Sequence, residues 1–488
     1  MTSSPLGPVH GPGFRRQFVL GPTSADLLRD WVRHPVTARH MLTVHPDLPC
    51  TRVDLGGRSL ILLGYLLDPR HSGRDDRAIM TDVLQHTHSA HTVLTSFDPL
   101  AGRWVALYIC DGRVRIFHDA GGLRQVYFGR DKNADTWCGS RPEVLARVTG
   151  AAPDLSTMDS LRRDGVFRPA THFWPGSGSA FAGIQRLLPN HYLDLETSRV
   201  TRYWPTAPIA DMSPERAIER SAASLTGVIS AASRRFPLAL ALTAGYDSRL
   251  LLAASRSHVQ EMAFYTLRRP ATRRRHADLY LPRKILRDQG LARKLIPVEP
   301  VTGGAVAKAI EESFTLHHQA AINHATALQS NPPLSGGWVT VNGNVAEVAR
   351  CAYPRVEVTP ENLARSTGAG ASRFAQEQFG AWYASAEPAI RHSNINAWDL
   401  FYWEQAIGGW LATLRSEFDA VEEGVSPYNS RAFLECLLGV DESLRSAPSY
   451  TLHRQLIAHL WPQLLQYPIN PPGRREQLKR MFSPRTLR

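Results

Sequence analysis

LALALTAGYDSRLLLAA, residues 238–254, is an apolar run that stops at a cluster of small and polar residues and then resumes in leucine and alanine. PLALALT (237–243) has the length and apolarity of a strand buried on both faces, and DSRLLLAASR (247–256) reads as a helix that begins at once. In a parallel sheet, the loop beyond a strand's carboxyl end faces the ligand crevice. The N-terminus of the helix that follows offers free N–H groups and the positive end of its dipole to phosphate. Thr243 and Ser248 contribute hydroxyls, Ala244 and Gly245 let the backbone come close, and Asp247 offers an oxygen to the magnesium that accompanies a nucleotide. On spacing alone the same residues serve equally as a tight strand-to-helix turn with Asp247 as its N-cap.

Downstream the alternation continues, with a strand at EMAFYTL (261–267), a helix at 277–290 and a strand at KLIPV (294–298). Strand and helix in strict alternation imply a parallel sheet with right-handed crossovers. Amphipathic stretches at 303–328 and 397–416 predict a mainly helical remainder, with one more strand at GWVTVNG (337–343). Upstream, Ser213 and Pro214 read as the N-cap and first position of a helix running to about Arg234, preceded by a Pro-rich linker from Trp204. Residues before that linker read as short strands and turns: 58–68, 103–110, the dipeptide Asp111-Gly112, 113–119 and 136–140. An Asp-Gly between two apolar runs predicts a hairpin.

With 488 residues, 43% hydrophobic and 20% charged, the chain has ample material for apolar cores and none of the bias of a disordered or fibrous protein. Its net charge is +12, and only five of its 56 basic residues are lysine, a skew that reads as coding bias. What remains is clustered: Arg268, Arg269, Arg273, Arg274 and Arg275, then Arg474, Arg475, Lys479, Arg480, Arg485 and Arg488, suited to a polyanion or to a nucleotide's phosphates. The five cysteines are too scattered for a disulfide framework or a structural zinc site, and His317, His318 and His324 lack a third ligand type. Pro and Gly interrupt the first residues where a secretory signal needs an apolar core, and no run approaches the length of a membrane span, so a cytoplasmic protein without membrane contact is expected.

The 243–248 loop resembles the pyrophosphate loop S-G-G-x-D-S of asparagine synthetase and its relatives, among them β-lactam synthetases and lasso-peptide cyclases. Further stretches match in the same order. FDPLAGRWVALYICDGRVRIFHDAGGLRQVYF (97–128) and WCGSRPEVLA (137–146) are similar to the glutaminase-like domain. ADLYLPRKILRDQGL (277–291), VNGNVAEVARCAY (341–353, the family's G-E-G-x-D-E) and SPYNSRAFLECLLG (426–439) are similar to the synthetase domain. The likeness spans about 60–465.

The resemblance implies an α/β protein: an N-terminal Ntn-hydrolase-like α+β sandwich over 1–205, then a PP-loop synthetase domain over 206–488, a parallel sheet with a helical C-terminal part. It implies ATP and Mg2+ as cofactors. Leu242, Thr243, Ala244, Gly245, Tyr246, Asp247, Ser248, Tyr265, Thr266 and Gly343 would surround the nucleotide, and Asp247 and Glu347 would ligate the metal. Departures qualify the match. The glutaminase needs an N-terminal cysteine, but the chain starts Met1-Thr2-Ser3-Ser4 and its first cysteine is Cys50. The glutamine-pocket stretch N-G-E-I-Y-N appears as Leu63-Gly64-Tyr65-Leu66-Leu67-Asp68, and the D-G of a later strand as Ala101-Gly102, so apolar atoms replace polar contacts. An inactive first domain is expected.

Asn344 stands where asparagine synthetase has a glutamate and β-lactam synthetase a tyrosine, and a neutral amide is no strong base. Glu404 is the remaining acidic candidate for that task, a helix-surface carboxylate being the alternative. No clear equivalent of the family's late lysine exists, with Arg474 or Lys479 as substitutes, and Arg249 and the 268–275 arginines follow strands where charge could meet a triphosphate. The expectation is an AMP-forming carboxylate–amine ligase acting on small-molecule or peptide substrates, with an amine not drawn from glutamine. Nucleic acid is not expected as a partner and a homodimer is left open. The competing expectations are a degenerate nucleotide-binding scaffold and, third, an RNA-modifying adenylating enzyme.

Overall fold

A computed structural model describes residues 13–25, 28–167, 172–273, 276–331 and 337–471. Of the charged groups singled out above, Arg274, Arg275, Arg474, Arg475, Lys479, Arg480, Arg485 and Arg488 lie outside the described residues. Asp111 and Gly112 both take left-handed backbone angles, φ 51° and 74°, which is the two-residue turn that matches strand twist. It joins Ala101–Cys110 to Arg113–His118, with Cys110 opposite Arg113. Arg58–Leu67 pairs antiparallel along the other side of Ala101–Cys110, and Cys50–Leu55, His191–Asp194 and Arg199–Arg202 complete six strands. A second antiparallel sheet has the order Gln185–Arg186, Tyr127–Arg130, Thr136–Gly139, Phe18–Gly21, His40–Val44, Val32–Thr37.

Side-chain alternation stacks these sheets. Ile61, Leu63, Val105 and Leu107 meet Phe18, Leu20, Leu42 and Val44 in a core between them, while Leu60, Leu62, Trp104 and Ala106 point the other way. That outer face packs on the helices Asp76–His86 and Ala90–Ser96.

From Pro214 onward the architecture changes. Ser213 caps the helix Pro214–Ser233 by accepting from the Arg216 N–H. Then five parallel strands form one sheet, in the order Lys294–Pro297, Ala263–Arg268, Leu238–Ala241, Val339–Val341, Gly424–Val425. The chain works outward from Leu238–Ala241 in one direction, then returns to lay Val339–Val341 against its other side. The amphipathic stretch 303–328 is two helices, Ala305–Ser313 and Gln319–Gln329. They separate because Glu143 and Glu417 accept from the backbone N–H groups of Thr315 and His318, giving those groups partners outside a helix. The stretch at 397–416 runs from Ala397 to Phe418 with a wide π-type turn at Tyr402–Leu411, where Gly408 leaves room for Pro189.

A buried ionic cluster fastens the antiparallel layers to the parallel sheet. Arg103 holds the Asp419 carboxylate with both terminal nitrogens and also reaches Glu423 at 3.1 Å, which Arg124 meets at 2.9 Å. The Tyr65 hydroxyl donates to the Gly424 carbonyl at 2.7 Å. The region where apolar atoms were expected to replace polar contacts also holds two arginines: Leu63, Leu66, Leu67 and Ala101 are buried, and the neighbouring Arg103 and Arg124 bring charge. Truncating Arg103 strands the Asp419 carboxylate away from water and leaves Glu423 to Arg124 alone. In urea denaturation, Arg103→Met is expected to cost about 3–5 kcal/mol, whereas Arg162→Met, which breaks the exposed pair with Asp159, costs well under about 1 kcal/mol.

Candidate functional site

Because Leu238–Ala241 and Val339–Val341 are adjacent and parallel, the loops leaving their carboxyl ends emerge side by side at the point where chain order reverses. In open α/β sheets this is where a ligand crevice forms. The first loop leads into the helix Tyr246–Ala254, whose N-cap is Gly245, not Asp247, and no side chain accepts from its first turn. Among the described residues no side chain accepts from the N–H groups of that turn, which are placed to meet an external acceptor. Thr243 and Ser248 hold the loop's shape: their hydroxyls lie 2.9 Å apart, the Thr243 N–H donates to Ser248 Oγ at 3.1 Å and the Gly245 N–H to Thr243 Oγ1 at 3.2 Å. Asp278 Oδ1 accepts from the Ala244 N–H at 2.9 Å. The Ala244 carbonyl accepts from the Asn470 N–H, which ties the C-terminal segment to the loop.

The second loop lies hard against the first. A Cβ on Gly343 would sit 2.7 Å from the Asp247 Cβ, so only glycine permits the approach. Val345 takes φ 78°, an unfavourable angle for a β-branched residue, and starts the tight turn Ala346–Arg350. That turn aims Glu347 and Arg350 at Asp247. Arg350 Nη2 donates to Asp247 Oδ2 at 2.8 Å and lies 3.7 Å from Glu347 Oε1. The remaining oxygens, Asp247 Oδ1 and Glu347 Oε2, are shielded from solvent and accept no hydrogen bond among the described residues. Burial, with Glu347 adding to it and Arg350 opposing, pushes the Asp247 carboxyl up to about 7, and burial likewise raises Glu347. The surroundings are phenolic: the Tyr428 hydroxyl donates to the Asp247 carbonyl at 2.9 Å, and the Tyr450 ring lies 5.7 Å from the Arg350 guanidinium carbon and 5.1 Å from the Tyr246 ring. Two hard oxygens with no donor, beside open helix N–H groups, suit a small hard cation and an anion next to it.

Thr243, Ala244, Gly245, Tyr246, Asp247, Ser248, Gly343 and Glu347 thus come together. Leu242, Tyr265 and Thr266 knit the neighbouring strands: the Leu242 N–H donates to the Tyr265 carbonyl and the Thr266 hydroxyl to the Leu242 carbonyl. Asn344 is half-buried on the second loop, its N–H donating to Asn342 Oδ1.

Glu404 does not join them as a base or as a surface carboxylate. It is fully buried in an ion pair with Arg202 and also accepts from Trp382 and Asn190. Burial works to raise its pKa, but Arg202 prevails and holds it below the usual range. Arg249 is likewise buried and donates to the carbonyls of Tyr467 and Pro468, so its charge is not at the crevice. His318 is buried on Glu417 and His324 stacks on Phe418. The sequence reading missed Arg350, Asp278 and Tyr428. The i, i+3 spacing of Glu347 and Arg350 was the available signal for the first.

No protein-family model matches the chain, and no curated protein matches it. Among solved structures it is similar to an allosteric regulatory enzyme of purine biosynthesis (10% identity, 62% of this chain and 74% of that chain, TM-score 0.25). It is also similar to a B. subtilis glutamine phosphoribosylpyrophosphate amidotransferase complexed with ADP and GMP (10%, 70% and 72%, 0.25). A glutamine-dependent NAD+ synthetase from Acinetobacter baumannii in complex with ADP gives 11%, 50% and 57%, and 0.21. Likeness at this level says nothing about this chain's chemistry, which rests on its own residues.

Gly343→Ala is expected to cost about 1–3 kcal/mol in thermal or urea unfolding, because the new methyl must push the two loops apart. His453 packs beside Tyr246 and Tyr450, and burial, together with Arg350 and Arg445, lowers its pKa to about 3. A histidine held neutral in the fold contributes stability that is complete above its unfolded pKa of about 6.5 and is lost as pH falls toward the folded value. Between pH 6.5 and 5, His453→Phe is expected to remove about 2 kcal/mol of the wild-type pH dependence, read from urea midpoints.

Proposed function

We propose that the protein is an ATP-dependent ligase that adenylates a substrate carboxylate, releases pyrophosphate, and passes the acyl group to an amine with loss of AMP. The observation that carries this reading is the pair of shielded, unpartnered oxygens on Asp247 and Glu347, held at the switch point beside an uncapped helix N-terminus. In this reading the N–H groups of the first helical turn and the Thr243 and Ser248 hydroxyls take the pyrophosphate end of ATP, and Gly343 lets the second loop close on Asp247 beside it. Asp247 Oδ1 and Glu347 Oε2 hold Mg2+, which supplies neutralisation of phosphate charge. Leu242, Tyr265 and Thr266, whose bonds to one another knit the strand ends, form the border of the adenosine site.

In this reading residues 1–205 are the Ntn-hydrolase-like domain, in which apolar side chains replace the glutamine contacts, and residues 206–488 are the PP-loop synthetase. The amine is ammonia, a second substrate, or part of the same molecule. Nucleophile and base roles are unassigned: Asn344 offers no strong base, and Glu404 is sealed inside its ion pair.

A second reading, a nucleotide-binding homologue without turnover, draws on Asp278, whose carboxylate already occupies the Ala244 N–H that would otherwise meet phosphate. Pyrophosphate exchange separates the two. With ATP, Mg2+, labelled pyrophosphate and pools of carboxylates, carboxylate-dependent label in ATP is expected, falling at least about 100-fold in Asp247→Asn, a loss of about 3 kcal/mol. ATP binding by calorimetry with no exchange from any pool favours the second reading. Absence of ATP binding overturns both.

A further inference from the structure

Three charged groups share the mouth of the first loop, and one of them is basic. Arg350 has five N–H donors, yet the described residues give its guanidinium one hydrogen bond, to Asp247 Oδ2, and its Nε is shielded with no acceptor. Its side chain is 14% exposed and lies near the Tyr450 ring, so it is desolvated without being satisfied. The carboxylates are in the complementary condition, each with one oxygen toward Arg350 and the other bare. An arginine used only to brace its turn would engage both terminal nitrogens or its Nε with carbonyl oxygens: Arg249, whose Nε is also unpartnered, gives Nη1 and Nη2 to carbonyls, and Arg445 gives Nε and Nη1.

We infer that Arg350 is a tethered counter-ion that suppresses binding of a divalent cation to the Asp247–Glu347 pair until an anion arrives to take its unused donors. The inference rests on the ligase reading for the identity of that anion, a triphosphate, and concerns the order in which the site fills. With the guanidinium in place the ionised pair carries one net negative charge, and a divalent cation meets a positive charge a few ångströms away. Once phosphate oxygens accept from Nη1, the guanidinium has a reason to leave Asp247, which frees Nη2 and the shielded Nε to follow and makes both carboxylates available. A metal then binds well with nucleotide and poorly without it.

The test uses the full chain and Mn2+ as probe, titrated without nucleotide and followed by the electron paramagnetic resonance signal of free Mn2+, with thermal melting to check folding. R350Q is expected to bind Mn2+ at least about ten times more tightly than wild type, since a like charge within about 5 Å is removed. R350K, which keeps the charge, should stay within about threefold of wild type, and D247N should abolish the gain in an R350Q background. In calorimetry with a chelator present, R350Q should bind metal-free ATP about ten times more weakly. Mn2+ affinity that is unchanged or lowered in a folded R350Q overturns the inference, as does a gain that survives D247N. The two readings fail separately: tighter Mn2+ in R350Q with no pyrophosphate exchange sinks the ligase and keeps the counter-ion, and the reverse result does the opposite.

Discussion

How closely the second loop can lie on the first turn of Tyr246–Ala254 governs the crevice. With only hydrogen on Gly343, the two backbones come near enough for Asp247 and Glu347 to share one guanidinium. Sheet order makes the approach possible, since Val339–Val341 joins the free side of Leu238–Ala241 and their carboxyl ends become neighbours. The geometry costs backbone strain at Val345, where the resembled family carries glycine, and the buried Val345 side chain offsets part of it through apolar contact. Main-chain packing holds the two acid groups together out of water; burial is the chief cause of the raised Asp247 pKa, and the neighbouring Glu347 adds to it while Arg350 opposes.

A second constraint acts at the other end of the strands. Gly424–Val425 is only two residues long and lies at the sheet's edge, yet the loop before it carries Asp419 and Glu423 into contact with Arg103 and Arg124. Tyr65 binds the Gly424 carbonyl, and Asn429 donates to the Gly102 carbonyl and to Asp119. The antiparallel sandwich thus buttresses the weakest strand of the parallel sheet.

Element type was legible wherever local chemistry dictates it. The Asp-Gly hairpin, the Ser213–Pro214 helix start and the alternation from 237 to 298 were all written in side chains that have few other uses, and the ends moved by a residue or two where strands fray into loops. The break between Ala305–Ser313 and Gln319–Gln329 was not, because Glu143 and Glu417 cause it from far along the chain. The loop residues of the site were legible as a motif, but which carboxylates stand free was not. Glu404 and Glu347 look alike in sequence; one meets Arg202, Trp382 and Asn190, the other keeps a bare oxygen. Burial and partnership are set by elements about 200 residues apart, beyond any local pattern.

The arginine excess, read from composition as coding bias, has a structural component. Arg103, Arg124, Arg415, Arg431 and Arg445 all have side chains at most 6% exposed, and each is paired with a carboxylate. Such positions need a planar fork that can bind a carboxylate and a carbonyl together, as Arg445 does with Asp399 and the Ala349 and Val440 carbonyls. A lysine ammonium is more strongly hydrated and cannot span those acceptors, so it would lose more on burial and gain less. Part of the chain's positive charge is therefore held inside, on carboxylates that are themselves largely buried. Against that background Arg350 differs: it is nearly as withdrawn from water, but among the described residues its fork makes one hydrogen bond, at a place where the fold also leaves acid oxygens and helix N–H groups open.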